Sequence, residues 1–528
     1  MWSMRANTRL SAGFLASLLL VATIPGADTI VPVLDEDPLP SKGATDTSGL
    51  DWRECEVHLF PCETLSVDET FTFSAEGTPE GGTYRWTVTQ PGEQLSPTGG
   101  TGGRFEVTAL EPSESVDDVE VSVTYTTSSG ERCSAACVLT VVQFTIKSVT
   151  FSGPSFYSVK KDCDSGDCPT YETPHWLDLD ADGEASGPDE HESPVAFVRG
   201  TEIALSDVLF NAMPVDLGLN AVLVRGVGPD GCVFEGSASV GYGEVIVYDD
   251  MVAGELLPAE VSVYDTYDID WYIALDNFKL HPAGTSRNRV YVTFGNPMGK
   301  RLESFLDIST RAADGQSTLQ EVIDAVWAEY EDLHVTNVRG EVMGYYRGIL
   351  CASWCKVLTA QQLVVHLNGQ CHSWQDLLIQ CFRTQGIGGA QDVEIRPISD
   401  GAFIIENYWF APGEGTSGIP AYPYRWNDPC GWGLPWPPET VEVRDRDGLA
   451  GQDESNPSSW FPTHQIVKLY GKYYDPSYGF GPLEGTTEQV NMFWEQSVVA
   501  GYCVWGSGAF HRGVRKDRFE VRETWFDK

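Results

Sequence analysis

The residues with the most chemical promise begin at Cys371, in the run Asn368-Gly369-Gln370-Cys371-His372-Ser373-Trp374. Beyond it Trp374, Leu377, Leu378 and Cys381 fall on one face at helical spacing, and Gly386 supplies a C-terminal stop. Cys371 therefore sits in the first turn of a helix. A thiol there feels the positive end of the helix dipole and unpaired backbone amides, which lower its pKa and raise the thiolate fraction that nucleophilic attack requires. The same spacing also accommodates a core thiol or a disulfide partner. Cys381 lies about 15 Å further along the helix at 1.5 Å per residue, too far to bridge Cys371.

A nucleophile of this kind needs a base. Of His334, His366, His372, His464 and His511, His464 has the most informative surroundings, from Phe461-Pro462-Thr463-His464 through Tyr470-Gly471-Lys472 to Asp475-Pro476. This reads as a β-hairpin. With Tyr470 and Gly471 as a two-residue turn, Leu469 pairs with Lys472 and Ile466 with Asp475. Asp475 then shares a face with His464 at a diagonal position, about 7 Å away across the strands. A turn centred on Gly471 and Lys472 would instead part the two residues. His372 follows Cys371 directly in the helix and is expected to point elsewhere, into solvent.

A second cluster lies upstream. Asp178, Asp180, Asp182 and Gly183 spell D-x-D-x-D-G, with Asp189 at loop position 12 and Glu190 just after it. This is close to the oxygen-ligand spacing of an EF-hand-type calcium loop, with the usual final Glu displaced by one residue and no flanking helices evident. A structural calcium ion is the expectation, against a plainly solvated acidic loop. Zinc on His175, His191, Cys163 and Cys168 is the weaker rival.

The elements that must position these groups divide the chain. Arg5 and Arg9 before the apolar run Leu10 to Ile24 give residues 1–27 the pattern of a secretory signal peptide, and residues 28–50 read as a polar linker. Residues 51–145 carry alternating strands at Thr83 to Thr89, Val119 to Thr126 and Cys137 to Ile146, which argue an immunoglobulin-like β-sandwich. A second β-rich module is expected over 146–295, with strands at Ala221 to Val227, Glu244 to Tyr248, Val261 to Tyr264 and Val290 to Phe294. From 296 to 528 the character becomes α+β. There Ser317 and Gln320 suggest a capping box ahead of the helical face Leu319, Val322, Ile323, Val326, Trp327 and Tyr330, and strands follow at Ala402 to Trp409 and Gln465 to Tyr474.

Composition narrows the function classes. Asp and Glu outnumber Lys and Arg by 76 to 34, for a formal charge of −42, which opposes nucleic acid and anionic membrane partners. No transmembrane segment is expected after the signal peptide. The 13 cysteines, several in close pairs, suit an exported, disulfide-bonded chain with one thiol to spare. Oligomeric state is not legible.

The ordered set of G-Q-C at Gly369 to Cys371, an apolar helix ending Arg383-Thr384-Gln385-Gly386-Ile387, His464 in a strand and Asp475-Pro476 after an aromatic pair resembles the transglutaminase-like superfamily of papain-fold cysteine enzymes. The resemblance covers approximately residues 300 to 490. It implies a papain-like α+β domain with Cys371 as nucleophile, His464 as general base and acid, and Asp475 as the orienting carboxylate, with no catalytic cofactor. It also nominates Cys371 as the spare thiol. The implied chemistry is acyl transfer or hydrolysis at glutamine or peptide amides of a protein or peptide substrate, through a thioester. The Cys371 amide is a natural oxyanion donor, and Trp354, Trp374 and Gln370 are candidates for the second. The long interval from Ile387 to His464, rich in Trp, Pro and Gly, departs from the general family. The alternative function is an extracellular or cell-surface binding protein that keeps the scaffold without catalysis.

Overall fold

The computed structural model describes residues 55–185, 187, 190–219, 221–247, 249–275, 279–345, 357–397, 401–405, 408–412, 441–445, 450–454, 460–461, 463–487, 489–490, 499–504, 510–512 and 519–524. Side chains are described in all of these except 396–397, 401–405, 408–412, 441–445, 460–461, 499–504, 510–512 and 519–524.

The N-terminal module packs two four-stranded sheets face to face. Alternation drives it: Val119–Thr126 turns Val119, Val121, Val123 and Tyr125 inward with no exposure at all, while the intervening residues face out. Thr83–Thr89 adds Trp86, whose ring stacks on Phe105 at 5.4 Å. The open edges of the two sheets are Glu56–Phe60 and Arg132–Leu139. Two disulfides, Cys55–Cys133 and Cys62–Cys137, clamp them together. The close pairs Cys55/Cys62 and Cys133/Cys137 are thus each split between two bridges, because these bonds follow sheet edges rather than chain neighbours. The single strand expected over Cys137 to Ile146 breaks at Thr140. Up to Leu139 the chain pairs with Val119–Thr126, and from Val141 it pairs in parallel with Leu65–Ser66.

Val141–Ser152 then runs on as one strand into the next module, contributing Val141 to the first core and Val142, Phe144, Ile146, Val149 and Phe151 to the second. The second module is a large sheet in which Val222–Val227, Ser262–Ala274 and Leu280–Thr293 are successive neighbours, wrapped around Trp176, Phe210, Phe234 and Trp271. At the junction Ser66 Oγ meets His281 Nδ1 at 2.8 Å, fully buried, and Lys279 reaches Glu69 at 2.5 Å. Burial then holds His281 neutral, its pKa pushed down to about 4.

The third region is α+β. Helices α1 (Glu303–Ala312), α2 (Leu319–Glu331), α3 (Ala360–His366) and α4 (Cys371–Thr384) precede an antiparallel sheet. Its strand order is Phe480–Glu484, Lys472–Asp475, His464–Leu469, Gln391–Pro397, Phe519–Thr524. The capping box on α2 is Thr318 with Glu321, one residue later than Ser317 with Gln320: Thr318 Oγ1 accepts from the Glu321 amide and Glu321 returns a bond to the Thr318 amide. Ser317 instead offers its carbonyl to Arg199. Val322, Ile323, Val326, Trp327 and Tyr330 are buried as the period requires, while Leu319 lies at the exposed edge of the stripe.

Both ends of α4 are fixed. Gly369 touches the helix so closely that a Cβ there would fall 2.1 Å from Ser373 Oγ, so this position of the G-Q-C run admits no side chain. At the other end Gly386 turns with φ +74°. Gln385 donates to Ser309 and Thr310 at 3.0 Å each, and Thr384 meets Ser309 at 2.9 Å, a buried polar lock between α4 and α1. No described helix is long and apolar enough to cross a membrane.

Candidate functional site

Cys371 is the first residue of α4, after Gln370 in extended conformation. Its amide is therefore one of the unpaired donors of a helix start. The thiol is 2 % exposed.

His464 opens its strand and is wholly buried. The hairpin it belongs to turns at Tyr470 and Gly471, with φ +47° and +81°, two positive values as a type I′ turn demands. Leu469 pairs with Lys472, Lys468 with Tyr473 and Val467 with Tyr474. This register brings His464 Nε2 to 2.8 Å from Asp475 Oδ2, with Asp475 itself 2 % exposed. Asp475 Oδ1 accepts the Ser477 amide at 3.1 Å, so both carboxylate oxygens are engaged. Nε2 is committed to Asp475, and the side chains of His464 and Cys371 also interact, each shifting the pKa of the other. Three residues from a helix start, a strand and its hairpin partner thus converge.

The electrostatics follow from the pairing. Burial pushes the Cys371 thiol up, but hydrogen bonds from His372 and His464 and the imidazolium charge of His464 outweigh it and bring the pKa down to about 6. Burial pushes His464 down, and the charge and hydrogen bond of Asp475, with the Cys371 thiolate, outweigh it and raise the pKa to about 10. Both directions favour a thiolate–imidazolium pair. Cys381 on the same helix shows the contrast: burial pushes it up to about 12, and its sulfur accepts from the Tyr330 hydroxyl at 3.4 Å. It is an inert core thiol.

Three supporting residues escaped sequence reasoning. His372 does not point away: its Nδ1 lies 3.7 Å from Cys371 Sγ. Tyr478 packs its ring 5.5 Å from that of His464. Gln452, fully buried, donates to the carbonyls of Tyr330 and Pro476 at 2.8 Å each and so holds the turn that follows Asp475. Only the aromatic run around Asp475 hinted at the second of these. Of the oxyanion candidates, Gln370 caps nothing with its side chain. Trp374 is buried with no partner for its indole nitrogen among the described residues, and Trp354 lies outside them.

One sequence expectation is overturned. Among the described residues Cys232, Cys371 and Cys381 are all unbridged, so the odd cysteine count does not single out Cys371. Burial in apolar cores accounts for the other two. Cys163–Cys168 forms the third bridge, which removes these sulfurs from any zinc site.

The acidic loop is held by strands, not helices. Asp178 ends Trp176–Asp178 and faces Glu190 across the pairing with Glu190–Glu192. Asp178 accepts the amides of Ala181 and Gly183 at 2.5 and 2.9 Å. One carboxylate oxygen each of Asp178, Asp180 and Asp182 lie within 4.8 Å of one another. Asp189 lies outside the described residues. His175 is buried, with Nδ1 accepting the Phe151 amide at 3.0 Å, and is held neutral by that burial; it takes no part in the loop.

No protein family matches the chain in a scan of family profiles, and no curated protein matches it. Similar solved structures include Dpr2 Ig1-Ig2 in complex with DIP-Theta Ig1-Ig3, at 10 % identity, 45 % of this chain, 64 % of that one and TM-score 0.15. Clostridium thermocellum CbhA fibronectin(III)-like modules share 10 % identity over 45 % of this chain and 94 % of theirs, with TM-score 0.21. Carbohydrate-binding modules of the β-sandwich superfamily share 10 % identity over 39 % and 96 %, with TM-score 0.16. The chain thus spans just under two thirds of the first of these, and TM-scores this low assign it no activity or partner.

Proposed function

We propose that the α+β region is a transglutaminase-like cysteine enzyme centre. The observation that carries this reading is the buried 2.8 Å bond from His464 to Asp475, on a histidine whose side chain interacts with the helix-start thiol of Cys371. In this reading the Cys371 thiolate attacks a glutamine carboxamide or peptide carbonyl. The Cys371 amide steadies the oxyanion, and His464 gives its proton to the leaving amine. An amine or water, deprotonated by His464, then resolves the thioester and returns the thiolate. Asp475 keeps the imidazole oriented throughout and stabilises its charged form when it carries the proton. The three bridges and the sandwich modules suit an extracellular or cell-surface protein.

The second reading is an extracellular binding protein with the same region as a silent scaffold. The 2 % exposure of Cys371 favours it on this chain. Ammonia release from glutamine-containing peptides, with and without a primary amine, separates the two when read beside peptide cleavage by mass spectrometry. Amine-dependent product marks crosslinking and cleavage without amine marks hydrolysis. If folded protein shows neither reaction across many substrates, the binding reading gains the upper hand.

The acidic loop belongs to the proposal as a structural calcium site, held by Asp178, Asp180 and Asp182 with Asp189 or Glu190 closing it. Calcium titration followed by melting temperature tests it.

A further inference from the structure

We propose that His372 is a second imidazole on the nucleophile, donating from Nδ1 to the Cys371 thiolate both in the resting enzyme and when the thiolate leaves the thioester. The inference rests on the catalytic reading of Cys371 and deepens it. His372 follows Cys371 in the first turn of α4 with its Nδ1 3.7 Å from Sγ, within the range of a bond to sulfur. His464 is wholly buried and bonded to Asp475. His372 is only partly buried, so it is the imidazole at this thiol that can also reach solvent.

The two imidazoles therefore do different work. His464 must surrender its proton to the leaving amine, and it later takes one from the incoming nucleophile. During the second transfer the sulfur regains a full negative charge, and a donor that is not itself exchanging protons steadies it. The groups that set the charge of His372 are Cys371 and Glu394, which favour the imidazolium, and burial and His464, which oppose it; the bond to Cys371 dominates and raises its pKa. Asp392, on the same strand as Glu394, is affected in turn. Burial raises its pKa to about 6, and His372 is among the charges that pull it back.

The test follows Cys371 ionisation directly, through the pH dependence of thiolate ultraviolet absorbance in the full chain minus that of Cys371→Ala. His372→Phe removes the donor and should raise the midpoint by about one pH unit. His372→Asn keeps an amide donor near the Nδ1 position and should raise it less, and the same pair of variants guards against a folding defect. A midpoint unchanged in His372→Phe overturns this inference and leaves the triad standing. A wild-type midpoint at the ordinary thiol value of about 8.5 overturns both. Equal shifts in the two variants also overturn it, because they would report disturbed packing rather than a lost donor.

Discussion

Asp475 and Asp178 are both buried carboxylates, 2 % and 4 % exposed, and both accept backbone amides. They differ in what balances their charge. Asp475 has His464 at 2.8 Å, so its charge is closed inside the protein. Among the described residues Asp178 accepts the amides of Ala181 and Gly183, with the carboxylates of Asp180 and Asp182 beside it. A buried carboxylate with an internal cation holds its partner in one geometry, which suits a proton-transfer group. One surrounded by further carboxylates is balanced only by something from outside. One carboxylate is thus balanced inside the protein, and the other would have to be completed by an ion.

The largest effect should come from breaking the closed site. Cys371→Ala should lower acyl transfer by about 10⁴-fold or more while the protein stays folded, because the first turn of a helix tolerates alanine. Circular dichroism beside the ammonia assay checks both halves. His464→Ala should be nearly as damaging to activity. It should also cost about 3–5 kcal/mol of stability, because Asp475 is left charged and unpaired in the interior; urea unfolding measures this. Asp475→Asn should leave roughly a hundredfold more activity than Cys371→Ala, since orientation of the imidazole is perturbed while nucleophile and oxyanion donor remain.

The pH profile comes next. Cys371 has a lowered folded pKa, so its thiolate is present above about 6 and lost as pH falls through that value. His464 has a raised one, so its imidazolium is present at low pH and lost as pH rises through about 10. Activity against small amides should be bell-shaped between these limits. The ion pair's share of stability should fall away on the acid side with Cys371 and on the alkaline side with His464.

The open site should respond more gently. Saturating calcium should raise Tm, with about 2.7 kcal/mol of stabilisation at a hundredfold excess over Kd. The double variant Asp178→Asn, Asp182→Asn should lose most of the rise. An unchanged response in that variant places the ion elsewhere. Smallest in consequence, thiol titration of the denatured, unreduced protein should find at least the three thiols of Cys232, Cys371 and Cys381. A single thiol would contradict the fold around two of them.

Local signals carried much of this region. The apolar spacing of Trp374, Leu377, Leu378 and Cys381 located α4, and Tyr470-Gly471 located the turn that sets Asp475 against His464, because period and turn chemistry are written within a few residues. Thr318 with Glu321 was missed by one residue since Ser317 with Gln320 fits the same pattern; in the structure Thr318 is the N-cap and its Oγ1 accepts the Glu321 amide. The crossed bridges Cys55–Cys133 and Cys62–Cys137 depend on which strands become sheet edges. No spacing rule contains that. His372 escaped the reading because neighbours one residue apart on a helix are not expected to face each other, yet its Nδ1 lies 3.7 Å from the sulfur. Gln452 was invisible because its partners, Tyr330 and Pro476, are distant in sequence.

The central claim is that Cys371 is a reactive thiolate held by His464. It is tested most directly by brief iodoacetamide labelling of the native, unreduced protein at neutral pH, followed by peptide mass spectrometry of wild type and His464→Ala. Cys371 should be alkylated well ahead of Cys232 and Cys381 in the wild type and lose that lead in His464→Ala. Cys371 unlabelled in folded wild-type protein, or labelled equally fast without His464, would contradict it.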